Sequence, residues 1–109
     1  MDDPGDYLPE IYQSFRRRFG DVVERHDAVA AAVDSAGPLD EQTVRLTKLG
    51  IALGAQAEGA VRSNVRKALD AGVSREAIEH VILLGLTTRG FPATIAAWQW
   101  ATEVLDGRP

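Results

Sequence analysis

The sequence predicts an all-α fold of about five or six helices. Three observations carry this. Apolar residues recur at steps of three and four along most of the chain. No stretch alternates apolar and polar residues as a half-buried strand does. Glycine, proline and capping residues punctuate the periodic stretches at helical lengths. The 109 residues suffice for one domain with one modest core.

Residues 1–7 hold two aspartates, Pro4 and Gly5, and read as a frayed N-terminus; residues 8–109 read as a single domain. Ile11, Phe15 and Phe19 recur at four-residue steps, with Tyr12 beside them, which predicts a short helix ending at Gly20. Its Arg16-Arg17-Arg18 run should face water. Asp21, with Glu24 three residues later, reads as the capping box of a second helix, stopped by Gly37-Pro38. Asp40 opens a third, apolar on almost every side beyond Lys48 and therefore buried, in the domain or between subunits.

The central stretch runs from Gly54 to Gly72. One face carries Ala57, Ala60, Val61, Asn64, Ala68 and Ala71; the other carries Glu58, Arg62, Arg66, Lys67 and Asp70. Gly72 suits a C-terminal cap, and Ser74 an N-terminal one for the next helix. There Ile78, Val81, Ile82, Leu83, Leu84 and Leu86 read as core. Gly90-Phe91-Pro92 breaks the chain, and Pro92 suits the first turn of a last helix. Trp98 and Trp100 fall on different stripes of it, more aromatic surface than one small core hides, so one tryptophan is expected to pack on another subunit.

Composition excludes several function classes. Net charge is 12 − 16 = −4, without the basic stripe of a nucleic-acid binder. Cysteine is absent, which removes disulfides, thiolate metal sites and cysteine nucleophiles. Two histidines are too few for a histidine-rich metal centre, so no metal is expected. The acidic start MDDPGDYLPE does not resemble a signal peptide, and Val81 to Leu86 is too short an apolar run to cross a bilayer. A cytoplasmic protein with no membrane or nucleic-acid partner is the expectation.

Two segments, GPLDEQTVRLTKLGIALGAQAEGAVRSNVRKALDAGVSREAIEHVILLG and TTRGFPATIAAWQWATEVL, resemble the carboxymuconolactone decarboxylase family, which includes the alkylhydroperoxidase D-like proteins. The resemblance covers about Gly37 to Leu105. It implies an alkylhydroperoxidase D-like helical bundle that assembles with copies of itself as a homotrimer or homohexamer. In the redox branch, a Cys-x-x-Cys pair is followed four residues later by a histidine and preceded by a glutamate. Here those positions hold Ala57, Ala60, Asn64 and Arg45. Alanine cannot replace a thiolate, so a dithiol peroxidase mechanism is rejected. The decarboxylase branch needs no cysteine and no cofactor. It implies a small organic acid or lactone as ligand, although asparagine cannot exchange protons as the histidine common there does.

The candidate site residues each have two readings. Asn64 is either a substrate-binding amide in a pocket or a buried amide tying backbone. Glu58 is a general base or the i,i+4 partner of Arg62. His80 lies in a mostly apolar helix; an imidazole titrating near ~6.5 serves as acid or base, and a surface position is the alternative. Arg45 lines a cleft or reaches solvent. Thr87, Thr88 and Arg89, beside the Gly90 break, either bind a carboxylate or satisfy the helix end. Two function hypotheses follow: a cofactor-independent decarboxylase with His80 or Glu58 moving the proton, and a non-catalytic relative that kept the oligomeric scaffold and binds a ligand or partner protein or has a structural role.

Overall fold

The computed structural model describes residues 9–107, so the expectation for residues 1–7 lies outside them. The described residues are all-helical and contain no strand. Seven helices are α1 (Glu10–Arg18), α2 (Gly20–Asp34), α3 (Glu41–Gly54), α4 (Glu58–Asp70), α5 (Arg75–Leu84), α6 (Leu86–Arg89) and α7 (Phe91–Leu105). Without the four-residue α6 the number is six, within the expected range. The helices fall into two compact units, one over Leu8–Asp40 and one beginning at Glu41.

In the first unit, α1 and α2 pack on each other. Arg16 joins them through Asp27 at 2.7 Å. Only one residue, Phe19, separates the helices. Its amide still donates to the Phe15 carbonyl, and its own carbonyl accepts from Val23. The break therefore leaves no room for the capping box expected at Asp21, and Gly20 starts α2 rather than ending α1. α2 stops at Asp34, ahead of Gly37. The Ser35 amide and hydroxyl both donate to the Ala31 carbonyl, satisfying it at the helix end.

The second unit is organised on α4, which packs against α3 and α7; α5 packs against α3 and α7. Leu49, Val61, Val65, Ile78, Ile82, Ala101 and Val104 form a core with at most 2% exposure. The alanines on α4 and α7 let backbones approach, as expected for that face. Three assignments change. α4 begins at Glu58, not Gly54, because α3 ends in a Schellman motif: Ala57 N–H donates to the Ala52 carbonyl and Gln56 N–H to that of Leu53. Gln56 occupies the left-handed position at φ 53. The motif recurs at the end of α4, where Gly72 takes the position at φ 84 as expected. Arg66, expected on the solvent face of α4, is buried at 6% exposure. Conversely, Leu83 and Leu84, expected in the core, are exposed, and so within the chain is Ile51 of α3.

Candidate functional site

α5 carries His80, a predicted site residue that lines an apolar cavity together with residues of α6 and α7. Ser74 caps it, its Oγ accepting from the Ala77 amide at 3.1 Å, as expected. Arg75 locks the first turn through Glu79 at 3.1 Å and Asp106 at 3.0 Å. Hydrogen bonds to Glu79 and then to Asp106 raise its guanidinium pKa above the ordinary value. Ile78 and Ile82 point into the core and leave His80 and Leu83 outside. On the other side, Gly90 at φ 93 turns the chain from α6 into α7. Thr94 Oγ1 donates to the Gly90 carbonyl at 2.9 Å and fixes that corner. Between α5 and α7 lies a cavity of about 520 Å³. His80, Leu83, Phe91, Ile95 and Trp98 line it, with the carboxylates of Glu76 and Glu79. The His80 imidazole has no hydrogen-bond partner among the described residues.

A second cavity, of about 370 Å³, lies between α3, α5 and α6. Arg89 and Thr88 line it with Thr47, Gly50 and the leucines of α3 and α5. The titratable residues at the first cavity are Glu76, His80 and Glu79, the last held by Arg75; at the second there is Arg89 alone.

The remaining candidates line neither of these cavities. Glu58 faces Arg62 at 3.3 Å across one helical turn. Arg62 also donates to Glu103 of α7 at 2.6 Å. The Asn64 Nδ2 donates to the Ala60 carbonyl at 2.8 Å, which orients the amide, since the reverse orientation would set two carbonyl oxygens together. Its Oδ1 is buried and meets no donor among the described residues. Arg45 is half-buried on α3, and Thr87 is exposed on α6. Of the candidates, His80 thus lines the first cavity and Arg89 the second, where Arg89 joins Thr88 rather than Thr87. Phe91, Thr94 and Trp98 were not singled out as site residues. The visible signal was the Gly90 break, which sets the start of α7 against α5. Among the described residues no three His, Asp or Glu side chains come together as a metal-ligand group. No described helix is long and apolar enough to cross a membrane.

No curated protein and no solved structure gives a match to the chain. A family match does exist, to the carboxymuconolactone decarboxylase family, and it spans residues 19–103. It begins earlier than the Gly37 opening that carries the resemblance and so takes in α2. With most of its length matched and no cysteine in its sequence, the chain belongs to the carboxymuconolactone decarboxylase family as a cysteine-less member.

Proposed function

We propose that the protein takes a small organic acid or lactone into the cavity between α5 and α7, without thiol redox chemistry and without a cofactor. One observation carries this reading: the His80 imidazole lines an apolar cavity of about 520 Å³ with no internal partner among the described residues. Cavities of this size suit small ligands. Glu76 and Glu79 lie at the same cavity and disfavour a polyanion, so a monoanion or a neutral lactone fits better. In a decarboxylation the bond from carbon to carboxylate breaks and carbon dioxide leaves. The electron pair stays on carbon, and the His80 imidazolium delivers its proton there. Apolar walls disfavour the localised carboxylate more than the charge-dispersed transition state. No cysteine is present to open a thiol route.

A non-catalytic, oligomeric relative is the second reading, and a specific observation favours it. Leu83, Phe91, Ile95 and Trp98 are all exposed around this cavity, and a second copy in a homotrimer or homohexamer would cover them. Turnover and thermal shift with a panel of small carboxylates and lactones separate the two. The decarboxylase reading expects ligand-dependent stabilisation and carbon dioxide release in the wild type. In His80→Ala, release falls by at least about a hundredfold while binding persists. Release that is unchanged in His80→Ala removes His80 from the chemistry. The non-catalytic reading expects no carbon dioxide release, with or without stabilisation by a ligand, and a lower assembly mass in Trp98→Ala.

A further inference from the structure

We propose that the cavity between α3, α5 and α6 is a second ligand site, built for a small monocarboxylate with an apolar body. The starting point is Gly50, in the interior of α3, where glycine weakens a helix relative to alanine. Packing within the chain does not demand it. A Cβ at Gly50, or at Gly54 one turn later, would meet nothing within 4 Å. Gly85 is the contrast: a Cβ there would lie 2.8 Å from Leu53 Cδ2, so close approach explains that glycine. The open space beside Gly50 and Gly54 is the cavity itself.

The polar groups at this space select the ligand. Arg89 is exposed and makes no ion pair among the described residues, whereas Arg16, Arg17, Arg62 and Arg75 each hold a carboxylate. Its planar guanidinium suits bidentate contact with one carboxylate. Thr88 Oγ1 donates to the Leu84 carbonyl at 3.2 Å, so its proton is committed. Thr47 Oγ1 donates to no described residue and supplies a second donor. No carboxylate lines the cavity, and the rest of the wall is largely apolar, including Leu46, Leu53, Val81 and Leu84. A single cation against an apolar wall favours one negative charge at one end of a hydrocarbon body; a second charge would be desolvated there. The site is separate from the His80 cavity and stands or falls without it.

Hexanoate is the probe, with hexan-1-ol and hexanedioate as controls, read by amide chemical shifts and calorimetry on the full chain. Saturable shifts at the Gly50, Gly54 and Gly85 amides are expected, with both controls binding at least about tenfold more weakly. Arg89→Gln loses a similar factor at these amides. Gly50→Leu fills the space, abolishes hexanoate binding and raises the thermal midpoint; Gly50→Ala does so in part. Equal binding of hexan-1-ol, unchanged affinity at these amides in Arg89→Gln, or no shift at Gly50, Gly54 and Gly85 would each overturn the site. So would a fall in assembly mass in Gly50→Leu, because a second copy would then occupy the space.

Discussion

α4 and α5 are successive helices of one unit, and they use their side chains in opposite ways. α4 turns most of its polar groups inward on the protein. Arg62 bonds Glu103 and Glu58, the Asn64 amide bonds the Ala60 carbonyl, and Arg66 is buried. Val61, Val65 and Ala68 have no exposure at all. α5 buries Ile78 and Ile82 alone and leaves His80, Leu83 and Leu84 outside. The helix whose positions carry thiols in redox relatives is here a packing element. Surface not used by the fold lies on α5 instead. Binding capacity should therefore follow α5 and its neighbours, and stability should follow α4 and the inner stripe of α5.

The largest expected effect tests that division within α5 itself. Ile78→Ala removes a side chain with no exposure and should cost roughly 2–5 kcal/mol. Leu83→Ala, at 58% exposure and five residues along, should cost under about 0.5 kcal/mol. Urea denaturation of both variants gives the comparison. A Leu83→Ala cost near that of Ile78→Ala would mean that the outer face of α5 is covered in solution, and the contrast with α4 would fail.

Next in size are the ends of the helices. Ser74→Ala leaves the Ala77 amide without its cap and should cost about 1 kcal/mol. Gly72→Ala puts a Cβ on a residue at φ 84 and should cost roughly 1–2 kcal/mol. Together they set how firmly α5 is held against α4, and thermal melts of the two variants measure it. If both losses are negligible, the junction contributes nothing to the rigidity of the His80 cavity.

These ends were also the part of the fold most legible in the sequence. Ser74, Gly72 and Gly90-Phe91-Pro92 act locally, through one hydrogen bond or one dihedral, so residue type alone reveals them. Gln56 was not legible: its left-handed φ follows from where α3 must stop, and glutamine gives no sign of it. The same holds for Arg66, whose charge suggests solvent while its burial depends on the neighbouring helices. Of the candidate site, His80 was readable as a titratable group in an apolar helix. The cavity beside it was not, because Phe91, Ile95 and Trp98 come from α7, and nothing in the order of residues says which face of α7 meets α5. Asn64 was read with two outcomes. The structure supplies part of each: a bond to backbone through Nδ2 and a buried Oδ1 with no donor among the described residues.

The smallest effect sharpens the comparison from the side of α4. Glu58 is the exposed end of a three-residue ion-pair set, with 57% of its side chain accessible against 30% for Glu103. Exposed i,i+4 pairs contribute a few tenths of a kcal/mol. Arg62 keeps its 2.6 Å bond to Glu103 when Glu58 is neutralised, so Glu58→Gln should cost no more than about 0.5 kcal/mol. Glu103→Gln removes the partner that links α4 to α7 and leaves Arg62 half-buried beside an exposed carboxylate, so its cost should be the larger. A double-mutant cycle over Glu58 and Glu103 reads the difference directly. If Glu58→Gln proves the costlier change, the ion pairs of α4 are arranged around Glu58 rather than Glu103. The outward side of α4 would then share in the chemistry assigned here to α5.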